Sequence, residues 1–194
     1  RLGLRRPLKM CIRNRVYSTR HNPRSDSMAL HSIAMLTEFL PKCPDLDMDC
    51  LLNTNTAAAM ASLAGVGGLG LNTAIAHHVG GLFDVPHGDA NAIMLPHTMR
   101  FNAEASSDRQ VLIARAMGIK TQGMSDMDAA MAAADAVENL RISLGLPGKL
   151  RDVGVPEEGL ELIAAATLHD RALATNPTPV ADAGPILTVL RNSW

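Results

Sequence analysis

Aromatic side chains are scarce in this chain: one Trp, one Tyr and three Phe in 194 residues. Single-strand nucleic-acid binders stack bases on aromatic platforms, so that class drops out. β-Branched residues are few as well, while 28 Ala, 11 Met and many Leu carry most of an apolar share of 47%. These abundant residues are helix formers and the scarce ones are strand formers, which predicts an all-α fold. Cysteine is limited to Cys11, Cys43 and Cys50, with no C-x-x-C pair. So small and odd a count argues against a disulfide framework and makes reduced, intracellular thiols the expectation. Formal charge is absent between Cys50 and Asp84. Asn53, Asn55, Gly65, Gly67, Gly68 and Gly70 interrupt that stretch, so it reads as tightly packed buried helices rather than a membrane span.

What is present bounds the chain further. It is too apolar for disorder, and at 20.6 kDa it is about one domain, burying roughly 70% of its unfolded surface. The net charge of −1 is unevenly placed. Residues 1–25 hold eight Lys or Arg and no acid, leaving ten bases against nineteen acids in the rest. A basic start of this kind is shared by nucleic-acid arms, targeting peptides and cut or altered domains. The run Arg15-Val16-Tyr17-Ser18 resembles a mitochondrial presequence cleavage site.

Helical patterns then follow one another. Ser25-Asp26 opens a helix toward Leu40, and residues 47–64 and 71–80 form two more. Pro86-His87-Gly88 turns into a helix ending near Met99, and Ser107-Asp108 caps one that ends at Gly118. Ser125-Asp126 caps one that stops near Gly145; Pro156-Glu157-Glu158 starts another, and residues 181–192 form the last.

Three candidate motifs stand out. Gly65 to Gly70 satisfies G-x-G-x-x-G, but the dinucleotide fingerprint needs a strand before it. Ala57 to Ala64 is an alanine-rich helix pattern, so close helix packing is the better reading. His77, His78, His87 and His97 fall within 21 residues beside a Pro-His-Gly turn, with His77 at the end of one helix and His87 at the start of the next. Such a group reads as a functional cluster, since neutral imidazole suits Fe or Zn, although a protein site needs three or four ligands. Ser25, Asp26, Ser27 and His31 lack nucleophile geometry and read as a solvated helix start.

A longer pattern goes further than these motifs. Gly80-Gly81-Leu82-Phe83-Asp84-Val85-Pro86-His87-Gly88 continues through Ala90-Asn91-Ala92-Ile93-Met94-Leu95-Pro96-His97 to Phe101-Asn102. With Tyr17-Ser18-Thr19-Arg20, Leu144-Gly145-Leu146-Pro147, Leu150 to Pro156, and Ala174-Thr175-Asn176-Pro177 through Trp194, it resembles the iron-containing alcohol dehydrogenase family, which includes maleylacetate reductases.

The resemblance covers about residues 17–194 and implies a bundle-like helical C-terminal domain of the dehydroquinate synthase-like fold. Residues 1–16 do not resemble the family, and an N-terminal NAD(P)-binding domain is not matched. In the complete enzyme, NAD(P) and Fe(2+) or Zn(2+) would serve the oxidation of a small alcohol or the reduction of a carbonyl, maleylacetate-type substrates included. The resemblance assigns His77 to proton relay or substrate contact and His87 to the metal. A second family ligand falls on Thr73, and an Asp-x-x-x-His pair falls on Pro7 and Cys11, so weak or absent metal is the expectation. The chain alone is expected to be inactive. Its rivals are a non-catalytic remnant and a subunit that pairs with a separate nucleotide-binding chain. A cytoplasmic location is expected, with a mitochondrial one as the alternative; no nucleic acid or membrane is expected as partner, and homo-oligomerisation stays open.

Overall fold

The computed structural model describes residues 12–45 and 48–194. Its helices are α1 (Ile12–Tyr17), α2 (Pro23–Phe39), α3 (Met48–Leu63), α4 (Leu71–Phe83), α5 (His87–Ala116), α6 (Asp126–Ser143), α7 (Gly159–Leu168) and α8 (Ala183–Asn192). Short 3-10 turns join them at Leu40–Asp45, Ala64–Gly67, Leu150–Val153 and Arg171–Thr175. No strand occurs among the described residues, and the fold is the all-α domain that composition predicted.

Local chemistry sets most helix ends. Asn22, not Ser25, caps α2: its side chain accepts from the Ser25 N–H, and the Ser25 hydroxyl accepts from the Asn22 N–H. Pro23 sits in the first turn, where its missing N–H costs nothing. Ser125 caps α6 as expected, accepting from the Asp128 N–H at 3.1 Å. The two helices expected over 87–99 and 107–118 are joined as α5, with a break at Ser106 (φ −152°, ψ 25°). The break is filled from within: the Gln110 amide donates to the Met99 carbonyl and to the Ser106 hydroxyl, which itself donates to the Asn102 carbonyl. Helix α1 crosses the boundary placed at residue 16, and Ile12, Val16 and Tyr17 are buried.

Two cores share α5. One packs Ile12, Ile33, Leu36, Leu95, Met99 and Val137 between α1, α2, α3, α5 and α6. The other packs Leu71, Ile75, Val79, Ile93, Leu160, Ile163 and Leu190 between α4, the start of α5, α7 and α8. Alanines line the α5–α6 contact (Ala114, Ala129, Ala133) and let the two helices approach closely.

The segment after α7 closes the domain through side chains. Asn176 donates to the Asn102 side-chain oxygen (2.7 Å) and to the Thr178 carbonyl (2.9 Å). Its own oxygen accepts from Asn102 Nδ2 and from the Leu71 N–H, both at 3.0 Å. Replacing Asn176 with alanine leaves the Leu71 N–H unpaired and removes one partner from each Asn102 side-chain group, which keep the Thr98 carbonyl and the Thr178 N–H; a buried group left unpaired costs about 1–3 kcal/mol. We therefore expect Asn176→Ala to lower unfolding free energy by about 3 kcal/mol in urea denaturation, with an unchanged m-value.

Candidate functional site

Gly65 to Gly70 connects α3 to α4, and the chain before it is helical. A Cβ on Gly67 would meet the Ser25 hydroxyl at 2.7 Å, and one on Gly68 (φ 84°) would overlap Ser18. The Leu69 N–H is taken by the Thr175 hydroxyl and the Leu71 N–H by Asn176, while Arg15 donates to the Gly65 and Gly68 carbonyls. Two backbone donors at the start of α4, the Leu69 and Leu71 N–H groups, are therefore already bonded. The glycines serve close packing, as expected.

Helix α4 runs past the expected stop at Gly80 as far as Phe83, and Asp84 closes it in the left-handed region (φ 53°). His77 accordingly lies within α4 rather than at its end. A four-residue approach from Asp84 then brings His87, the first residue of α5, back beside it. The His77 and His87 rings stack at 5.9 Å between centroids, 21° from parallel. Asn91 braces this start: it donates to the His87 carbonyl (2.7 Å) and accepts from Asn72 of α4 (2.6 Å).

The third participant comes from 93 residues along the chain. Asp170 Oδ2 stands 2.9 Å from His77 Nδ1, and 3.3 Å from His78 Nε2 without hydrogen-bond alignment. Asp170 is itself fixed as the cap of the Arg171–Thr175 turn, accepting from the Ala172 N–H at 2.7 Å. Burial alone would push its carboxyl up. The Ala172 N–H, the His77 hydrogen bond and the charges of His77 and His78 outweigh burial and hold it below the usual carboxylate range. An ionised carboxylate only accepts, so His77 Nδ1 carries the hydrogen and the neutral ring keeps its lone pair on Nε2. Partial desolvation, followed by the neighbouring His77 charge, lowers the His87 pKa, although the residue is exposed. The shift favours the neutral ring, the form in which an imidazole accepts a proton or a metal.

The fourth histidine of the sequence cluster is not brought in. His97 sits on the α6 side of α5, among Arg100, Glu138, Arg141 and Lys149. Arg100 there bridges to Asp135 (2.7 Å) and Glu138 (2.6 Å), tying α5 to α6. The expected solvated start at Ser25 and Asp26 is also corrected. Ser25 is buried, and Asp26 pairs with Arg109 at 2.5 Å, because α1 and α5 cover that end of α2.

The metal implied by the family resemblance can be tested against these residues. The Thr73 side chain is buried, and its hydroxyl accepts from Asn14 Nδ2 (3.2 Å), whose oxygen accepts from the Tyr17 hydroxyl (2.7 Å). This is a neutral hydrogen-bonded triad, not a donor set for a divalent ion. Among the described residues no three His, Cys, Asp or Glu side chains come together for a metal; Pro7 and Cys11 lie outside them. The described residues do not fit a tightly held ion.

A sequence model of the Fe-containing alcohol dehydrogenase family, C-terminal part, matches residues 14–194. The chain belongs to this family. It is 38% identical over 160 residues to the 1,3-propanediol dehydrogenase of Citrobacter freundii, covering 80% of this chain and 41% of that one. It is 42% identical over 136 residues to the lactaldehyde reductase of Escherichia coli K12, covering 68% and 35%. The solved alcohol dehydrogenase from Oenococcus oeni superposes with a TM-score of 0.92 at 26% identity, over 98% of this chain and 53% of that one. The chain thus spans less than half the length of the curated relatives named here. Among the described residues no helix is long and apolar enough to cross a membrane.

Asp170, Asn72 and Asn91 have no local signal that marks them as site residues. Only a reading that joined Asp170 to His77 across 93 positions would have found the pair.

The histidines make a testable statement about pH. Burial, then the Arg100 charge, lowers the His97 pKa from 6.5; Glu138 opposes this, while Arg141 and Lys149 add to it. The unfolded chain then takes up the proton at higher pH than the folded one. The stability is fully present above about pH 6.5 and is lost as pH falls through that value toward the folded pKa. His87 acts with the same sign. Urea denaturation between pH 7.5 and 5.5 should show falling stability with acidification, and a shallower fall in His97→Gln; parallel curves would remove His97 as a source.

Proposed function

We propose that this domain supplies the acid–base side of an NAD(P)-dependent interconversion of a small alcohol and its carbonyl compound. The observation that carries this reading is the Asp170–His77 pair beside His87, on a domain of the Fe-containing alcohol dehydrogenase family. Relatives named for 1,3-propanediol and lactaldehyde point to small, polar substrates.

In this reading His77 Nε2 receives the hydroxyl proton as the alcohol is oxidised and returns it when the carbonyl is reduced. Asp170 holds the ring in the tautomer that leaves Nε2 available and stabilises the imidazolium that forms. His87 presents a second neutral imidazole to the same space and remains the side chain assigned to a metal. No step is derived through an ion, because the described residues do not complete a ligand set. NAD(P), when bound, supplies the hydride chemistry. His77 stands 45% exposed and His87 is exposed, so a nucleotide-binding unit has open access to both. That unit, in the same polypeptide or a separate chain, covers the site and excludes water. A cytoplasmic location accompanies this reading.

The 194-residue chain alone should show no oxidation of NADH or NADPH with lactaldehyde or other small aldehydes. Joined to the N-terminal half of the Citrobacter freundii 1,3-propanediol dehydrogenase, it should turn over, and His77→Ala in that chimaera should lower kcat about 10²–10⁴-fold. Turnover by the chain alone would remove the need for a covering unit. A folded chimaera that binds NAD(H) yet reduces no aldehyde would sink the reading.

A further inference from the structure

We propose that Cys43 and Cys50 form an oxidant-sensitive dithiol site, which a peroxide converts reversibly into an intramolecular disulfide. The sulfurs lie 2.8 Å apart, both as thiols and both 2% exposed. A disulfide bond is about 2.05 Å long, so closure needs a movement of less than about 1 Å. Cys43 lies in the Leu40–Asp45 turn after α2 and Cys50 in the first turn of α3, so the bond would join two elements seven residues apart.

Polar groups surround the pair. Cys50 S–H donates to the Phe39 carbonyl (2.9 Å), which can only accept. The two sulfurs are in direct contact. The Thr54 hydroxyl, one turn further along α3, lies 3.2 Å from Cys43 Sγ. Once Cys43 loses its proton its sulfur only accepts, so the Thr54 hydroxyl donates to it and steadies the thiolate. Cys43 is the attacking sulfur and Cys50 the resolving one.

The balance follows. Cys43 thiolate attacks one peroxide oxygen; an S–O bond forms, the O–O bond breaks, and the departing hydroxide takes up the released proton as water. Cys50 sulfur then attacks Cys43 Sγ; the S–S bond forms, the S–O bond breaks, and the hydroxyl leaves with the Cys50 proton as a second water. Two thiols and one hydrogen peroxide give one disulfide and two waters, the sulfurs losing two electrons to the peroxide. Lys42, Met48 and Asp49, which flank the pair in sequence, are exposed.

The test treats the reduced 194-residue chain with hydrogen peroxide, quenches it, unfolds it and counts thiols. Three thiols before and one after, both lost thiols returning with dithiothreitol, are expected. Cleavage before aspartate separates Cys43 from Cys50, and the two fragments should remain linked until reduced. In Cys50→Ser, whose hydroxyl can still donate to the Phe39 carbonyl, Cys43 should stop at the sulfenic acid and take up dimedone. Three thiols remaining after peroxide, a link that uses Cys11, oxidation that dithiothreitol does not reverse, or no dimedone on Cys43 in the variant would each overturn the proposal.

Discussion

Two buried amides, Asn102 and Asn176, hold each other by both their donors and acceptors, and the arrangement of the domain depends on that clasp. Each of the four polar groups is occupied. Asn176 also reaches the Leu71 N–H and the Thr178 carbonyl, and Asn102 reaches the Thr98 carbonyl. The residue before it works in the same direction: the Thr175 hydroxyl both accepts from the Leu69 N–H and donates to the Leu69 carbonyl. Residues 175–176 therefore act as a polar rivet between the glycine connection, the start of α4 and the middle of α5. A well-satisfied buried amide network specifies one register, because any slip strands several groups at once.

That rivet is also what delivers Asp170. The turn Arg171–Thr175 is short and capped by Asp170 at one end, and its other end is pinned by Thr175 and Asn176. With both ends held, the carboxylate lies against the flank of α4, beside His77 and His78. The Asn72–Asn91 pair does the corresponding work for His87, by fixing the first turn of α5 to the first turn of α4. Asparagine amides thus position both imidazoles, while neither amide needs to touch a substrate.

Much of the helical scaffold was legible from residue type and spacing. Ser125 at the start of α6 and the glycine connection before α4 carry local chemistry, so local reading finds them. The departures are places where distant groups decided the outcome. The helix expected to end near Met99 runs on to Ala105, and the boundary expected before Ser107 is kept as the non-helical Ser106 within α5, where Gln110 donates to the Met99 carbonyl. Helix α4 continues through Gly80 and Gly81 because Asp84 can adopt the left-handed conformation that ends it. Asp26 left solvent because Arg109 reaches it across 83 residues. The histidine cluster was only partly legible: His77 and His87 do meet, but His97, ten residues beyond His87 on the same helix, turns toward α6.

By itself the sequence determined the all-helical class, the order of the helices and the family, because short-range propensity, capping and a continuous motif encode all of these. Tertiary structure alone decided which acid serves His77, which amides anchor the site, that Thr73 is absorbed into a neutral triad with Asn14 and Tyr17, and that Cys43 and Cys50 touch. The physical reason is common to all four. Hydrogen bonds and sulfur contacts act over about 3–4 Å in space, and no local pattern records which side chains the packing of helices will bring to that distance.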